Sequence, residues 1–174
     1  MKDVEPAFLI RELRDGEIPP MELLLLADSE ITQVMKYRDL VKWLIVEQNE
    51  IVVGVCGVME IEPDNLEIMN IAVDPDCQGQ GYAKRLIGQV MEMGRTQGYK
   101  RVWIRTGNSS LNQLALYQKC GFRMVRIERD HFIKHYQEMI YENGIWCRDQ
   151  VILEAELSSK YCSSHRKHHP RTVT

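Results

Sequence analysis

The sequence has no long hydrophobic run. Its longest uninterrupted apolar stretch, Ile51–Met59, is nine residues including Gly54 and Gly57, whereas a bilayer-spanning helix needs about 20. No membrane partner is therefore expected. No apolar segment follows a basic start either, since the N-terminus carries Asp3 and Glu5, and no secretory signal is expected. The five cysteines (Cys56, Cys77, Cys120, Cys147, Cys162) are odd in number and scattered. They form no CxxC and no Cys–His pair at zinc-ligand spacing, so no metal is expected. Single thiols of this kind suit a reducing compartment, and a cytoplasmic protein is expected.

Acidic residues are missing from Ser158 onward, where four basic residues (Lys160, Arg166, Lys167, Arg171) and three histidines stand in a polar, serine-containing segment. Taking those four from the chain's 22 basic side chains leaves 18 against 25 acidic ones, a balance of −7 over residues 1–157. A body this acidic is a poor nucleic-acid binder, which needs a basic face. It suits a cationic small molecule or peptide better. Repeats and internal linkers are also absent, and 174 residues suffice for one domain with its own core. The expected organisation is a domain over 1–157 followed by a basic, histidine-rich flexible tail over 158–174.

What is present alternates between strand and helix signals. Ala7–Leu13, Val41–Glu47, Ile51–Glu62 and Leu66–Val73 have strand character, with a tight turn at Gln48-Asn49-Glu50. Pro19-Pro20 opens a helix over Met21–Ala27, and Ser29 is placed to cap a second one carrying Ile31, Val34 and Met35. Ala83, Leu86, Ile87, Val90, Met91 and Gly94 share one face of a long helix that Gly98 stops. After the strand Val102–Thr106, Ser110-Leu111-Asn112-Gln113 has the form of a capping box for a helix ending at Gly121. Phe122–Glu128 is a further strand, and Asn143-Gly144 a hairpin turn. Ile145, Cys147, Asp149, Val151, Leu153, Ala155 and Leu157 put one face of a long final strand inward. This order predicts an α/β domain with a mixed sheet, antiparallel at its hairpins and parallel across the crossover through residues 66–106.

Between a buried strand and the long helix lies Gln78-Gly79-Gln80-Gly81-Tyr82-Ala83. Two glycines permit backbone conformations in which successive amide N–H groups converge on one concavity. The positive end of the following helix dipole faces the same place, which suits a phosphate or pyrophosphate. A Walker loop would require Gly-Lys-Ser/Thr, and a dinucleotide fingerprint a third glycine or alanine where Lys84 stands. The remaining pattern, Gln/Arg-x-x-Gly-x-Gly/Ala, is matched at every fixed position. By itself such a hexamer is also compatible with a plain strand-to-helix turn.

Here the chain resembles the GNAT family of acyl-CoA-dependent N-acyltransferases. Asn70-Ile71-Ala72-Val73-Asp74-Pro75 is similar to that family's strand into the pyrophosphate loop, and Leu116-Tyr117-Gln118-Lys119-Cys120-Gly121-Phe122 to its second signature. The resemblance implies a mostly antiparallel twisted sheet with two splayed parallel central strands, flanking helices, and acetyl-CoA as acyl donor. It implies that the main chain of Ile71, Ala72 and Val73 holds the pantetheine arm. The amides of Gln78, Gly79, Gln80, Gly81, Tyr82 and Ala83 would hold the pyrophosphate, with Lys84 nearby. An acetyl group would pass directly to an amine on a small molecule or peptide. The implied enzyme is a monomer or homodimer, and the alternative within the same fold is a catalytically weak acyl-CoA-binding module.

Tyr117 occupies the position where the family commonly carries its general acid. Reference pKa values of roughly 8.5 for a thiol and about 10 for a tyrosine let it donate to the leaving thiolate. Otherwise it is a packed helix tyrosine. Glu67 shares a strand face with Met69, Ile71 and Val73 in the alternating pattern. It is either a general base acting through water or a carboxylate at the solvent edge. Ser110 replaces the asparagine often found seven residues before the tyrosine, so Asn108 or Asn112 could contact the cofactor or acceptor instead. Cys120 and Cys77 are expected to be plain thiols rather than nucleophiles. The aromatic, acidic stretch Asp130–Glu142, with His131 and His135, is either a wall of the acceptor site or a surface cover. Glu60, Glu62, Asp130 and Glu142 are the acids that would favour a cationic acceptor.

Overall fold

The computed structural model describes residues 7–157, so the expectations for the tail over 158–174 lie outside the described residues. Seven strands form one sheet in the order β1-β2-β3-β4-β5-β9-β6, and β7 and β8 form a separate hairpin. The main-sheet strands are β1 (Phe8–Glu12), β2 (Lys42–Gln48), β3 (Ile51–Glu62), β4 (Asn65–Val73), β5 (Arg101–Gly107), β6 (Arg123–Glu128) and β9 (Gln150–Glu156). Among the described residues only β4 and β5 run parallel; every other neighbouring pair in this sheet is antiparallel. The α/β mixed sheet anticipated from the sequence is the fold observed.

Both faces of the sheet are covered, which is why Trp43, Leu44, Ile45 and Val46 are all buried in β2. Leu44 and Val46 pack with Leu86, Ile87 and Val90 of α3 (Tyr82–Thr96). Trp43 and Ile45 pack with Leu23, Leu24 and Val34 of α1 (Met21–Ala27) and α2 (Ile31–Tyr37). The β2–β3 turn has Asn49 and Glu50 at positive φ, as a two-residue hairpin of primed type requires. Gly98, at φ +84°, ends α3 where expected.

Three local expectations are corrected. The long final strand is broken: β8 (Ile145–Cys147) pairs with β7 (Ile140–Glu142), and β9 begins only at Gln150. Asn108 causes the break, because its Oδ1 accepts the N–H groups of both Arg148 and Asp149 at 2.9 Å, taking them out of any ladder. Ser29 does not cap α2; Glu30 does, with no side-chain cap, while Asp28 Oδ1 accepts the Glu30 N–H at 3.1 Å. Ser110 precedes α4 (Leu111–Lys119) without a side-chain cap either. Its hydroxyl instead donates to Glu142 Oε2 at 2.7 Å, a charge-assisted bond that wins over a neutral backbone contact.

The fourth correction positions the site. Gly57 pairs with Asn70 but Val58 with Ile68, so Met69 is an extra, unpaired residue in β4. A bulge shifts the alternation by one. Ile71 and Val73 therefore pack on the α3 side, and Met69 on the α1/α2 side. Glu67 does not share the face of Ile71 and Val73, contrary to the alternating pattern read from the sequence.

Candidate active site

The parallel ladder between β4 and β5 covers only Asn65–Ile68 against Arg101–Ile104. Both strands continue, to Val73 and Gly107, without pairing to each other. A bulged strand bends, and the ladder ends next to the bulged Met69. Beyond it opens a cleft of about 960 Å³, walled by β4 residues 67–73 on one side and Ile104 to Gly107 on the other. Ile71, Ala72 and Val73 are hydrogen-bonded to β3 along one edge. Their other edge borders the cleft, a row of main-chain groups available to an extended ligand.

The strand leads through a single 3-10 turn, Pro75–Cys77, in which Asp74 Oδ1 accepts the Asp76 N–H at 2.9 Å. Gly79 and Gly81 follow at φ +77° and +81°, with nothing within 4 Å of where a Cβ would stand. Backbone conformation rather than crowding is thus what requires glycine. Gly81 is the N-cap of α3, so the free amides at the start of a 15-residue helix face this turn. Gln78 and Ala83 line the cleft, and Gln78 Nε2 donates to the Val73 carbonyl at 3.2 Å, tying the turn to the strand. Gln80 and Lys84 are exposed beside it. The Tyr82 side chain belongs to the core, edge-on to Phe8 at 5.2 Å between ring centroids, which leaves only its amide for a ligand.

Tyr117, only 4 % exposed, lies in α4 and lines the cleft. Burial pushes its phenol well above the ordinary value, so it stays protonated across the physiological range. Glu67 also lines the cleft, with a side chain 6 % exposed against Arg105 of β5. Arg105 Nε lies 2.7 Å from Oε1, but its N–H is not directed at that oxygen; the aligned bond runs from Nη2 to Oε2 at 3.2 Å. Burial raises the Glu67 carboxyl above the usual carboxylate range, and the Arg105 charge opposes the rise. Cys120, half-buried at the end of α4, has its thiol raised by burial and so is a poor nucleophile.

Asn108 is not brought to the cleft. It is absent from the cleft lining; its carboxamide accepts from Arg148 and Asp149 and donates to the Trp146 carbonyl at 3.0 Å, which turns it towards the 146–149 segment. Ser110 and Asn112 do line the cleft. Of the acids expected to favour a cation, only Glu142 is on its wall. Glu60 and Tyr99 join in a hydrogen bond beside a different hollow, and Asp130 is paired with Arg148.

The structure supplies wall residues that the sequence did not single out. Asp28, at the end of α1, accepts the Tyr136 hydroxyl at 3.2 Å, and burial raises its carboxyl. Asn70 donates to the Leu24 carbonyl at 3.0 Å and to the Tyr37 hydroxyl at 2.9 Å, fastening α1 and α2 to β4. Gln33 Nε2 donates to the His135 carbonyl at 2.9 Å, joining α2 to α5 (His131–His135). The Asp130–Glu142 stretch is therefore a wall and not a surface cover: His131, Phe132, His135 and Tyr136 all border the cleft. Glu128, His131 and His135 also gather their donor atoms within 4.8 Å of one another. The His-x-x-x-His spacing on a helix was the sequence signal for that group.

A sheet parted between two parallel strands, beside a glycine turn at a helix N-terminus, has the geometry that suits a long ligand with a strand-like arm and a phosphate end. Comparison with known proteins gives the class its name. The family model for the acetyltransferase (GNAT) family matches residues 10–122. The uncharacterized N-acetyltransferase YvbK of Bacillus subtilis is 41% identical over 136 residues, covering 78% of this chain and 88% of its own length. The structure of an IAA acetyltransferase from Bacillus cereus superposes with a TM-score of 0.81 at 43% identity, over 86% of this chain and 99% of the other. A GNAT family acetyltransferase from Elizabethkingia anophelis with acetyl-CoA bound gives 0.82 at 36% identity, over 86% and 97%.

The chain belongs to the GNAT family, as an acetyl-CoA-dependent N-acetyltransferase.

Proposed function

We propose that the cleft carries out direct transfer from acetyl-CoA to a cationic amine, with Glu67 as base and Tyr117 as acid. The observation that carries this is the early end of the β4–β5 ladder at Ile68 and Ile104, which opens the cleft with Glu67 and Tyr117 on its walls. The pantetheine arm lies along the free edge of Ile71, Ala72 and Val73. The pyrophosphate rests on the amides of residues 78–83, with Lys84 adding a positive charge. The domain that does this spans 1–157.

A protonated amine has no lone pair, so a proton must leave before attack. Glu67 takes it, through a water, with the raised affinity for protons that burial gives its carboxyl. Attack forms the new C–N bond and expels the coenzyme thiolate. Tyr117 donates its proton there. In water this donation is uphill by about 1.5 pKa units, or about 2 kcal/mol. Burial raises the Tyr117 pKa further, and an equally dry position of the thiolate would offset part of that rise. Asp28 and Glu142, both lining the cleft, give the acceptor end a negative field that selects a cation.

The test is acetyl transfer to a panel of polyamines, amino sugars and peptide amines, with Tyr117→Phe and Glu67→Gln beside the wild type. Slow turnover with retained acetyl-CoA binding in both variants supports the assignment. Wild-type turnover in either would overturn that residue's role.

A further inference from the structure

The group at the edge of the cleft is explained by neither the coenzyme nor the proton transfers. His131 and His135 stand four residues apart at the two ends of α5, their ring centroids 4.6 Å apart. Glu128, at the end of β6, brings Oε2 to 3.5 Å from His131 Nδ1. Two atoms bound tetrahedrally to one zinc at about 2.0–2.1 Å lie about 3.4 Å apart. The Glu128–His131 separation already meets that spacing, and all three donor atoms lie within 4.8 Å of one another.

Two orphaned atoms strengthen the case. His131 Nδ1 and Gln150 Oε1 are both sealed from solvent with no hydrogen-bond partner. The Gln150 amide nitrogen instead faces His131 Nε2 at 3.2 Å. Turning the Gln150 carboxamide over lets Oε1 accept from Nε2–H and moves the proton off Nδ1. Nδ1 then presents its lone pair towards Glu128, an arrangement that calls for a cation between them. The flip satisfies Gln150 Oε1, and an ion would satisfy His131 Nδ1.

We propose that Glu128, His131 and His135 form a divalent-metal site of the zinc class on the acceptor wall of the cleft. Two imidazoles and a carboxylate are the ligand chemistry of zinc rather than of calcium or magnesium. His131 and His135 line the cleft, so the fourth position opens into it. An amine ligating there engages its lone pair and cannot attack the thioester, so the bound ion inhibits transfer. That consequence rests on the proposed acceptor site; metal uptake itself does not.

The experiment is calorimetric titration of Zn²⁺ into chelator-stripped, full-length protein without substrates. Because the sequence also carries His165, His168 and His169, the reference is the triple variant His165→Asn/His168→Asn/His169→Asn. One zinc per chain is expected to bind in that reference, and His135→Ala or Glu128→Gln added to it weakens binding by about tenfold or more. His135 is exposed, so its truncation leaves no core gap; unchanged metal-free melting curves verify folding. Loss of zinc uptake in the tail variant, or full affinity in both cleft variants, overturns the site. Zinc should also lower the reference's turnover more than that of the His135→Ala form. Equal inhibition overturns the inhibitory role, while failure of all acetyl transfer counts against the proposed function and leaves the titration to decide the metal site.

Discussion

Glu67 Oε1 lies 2.7 Å from Arg105 Nε at the point where the two central strands part. Glu67 directly precedes and Arg105 directly follows the last paired positions, Ile68 and Ile104, and both line the cleft. Opposing influences act on the carboxyl: burial raises its pKa and the guanidinium lowers it. Removing the guanidinium with Arg105→Met leaves burial unopposed. The acid limb of kcat/KM is then expected to move to higher pH, and in Glu67→Gln to disappear with a loss of about 10²–10⁴ in rate. A pH–rate profile from pH 5 to 9 measures both.

The same carboxyl affects stability with a definite sign. Its folded pKa is above the unfolded one, so its contribution is fully present below the unfolded value and is lost as pH rises through the folded value. Denaturant midpoints of the wild type are expected to fall more than those of Glu67→Gln as pH climbs past the ordinary carboxylate range. Parallel curves would contradict the burial.

Tyr117 remains protonated throughout the working range because burial raises its phenol. Tyr117→Phe should therefore lower turnover by a similar factor at every pH from 6 to 9, up to about 10²–10⁴. Acetyl-CoA affinity should change little. A variant that loses affinity and keeps kcat would make the tyrosine a packing residue.

Gly81 sits at φ +81° with open space around it. Gly81→Ala adds no clash, only left-handed strain of about 1–2 kcal/mol. Relaxing that strain moves the amides of the turn, so the KM for acetyl-CoA is expected to rise about tenfold with kcat nearly unchanged. Steady-state kinetics at saturating acceptor reads this directly.

Gly57 tests the packing on the other face of β3. A Cβ there would stand 2.7 Å from Trp43 Cζ3. The indole cannot retreat easily, because it is buried and its Nε1 donates to the Arg38 carbonyl at 2.8 Å. Gly57→Ala is expected to destabilise the fold by about 1–3 kcal/mol in chemical denaturation.

Most element positions were legible because they follow from local chemistry. The Asn143-Gly144 turn has both residues at positive φ, at 55° and 73°, as a primed hairpin turn demands. The spacing of Leu86, Ile87 and Val90 put them on the buried face of α3. The glycine turn was legible for the same reason, since positive φ is a property of the residue type. Local pattern misled where a distant group intervened, and also at Ser29, where the adjacent Asp28 takes the Glu30 N–H. Asn108 split the last strand from about forty residues away, and Glu142 drew Ser110 away from its helix.

By itself the sequence determined the family, most helix and strand spans before residue 129, and the residue types able to bind phosphate or move protons, because these depend on dihedral preference and short-range pattern. The tertiary structure decided which of those residues meet. The bulge at Met69 turned Glu67 away from Ile71 and Val73, and Arg105, Asp28 and the Glu128–His131–His135 group arrived from separate elements. Such meetings depend on the register of paired strands and on contacts between residues far apart in the chain, which no short stretch of sequence encodes.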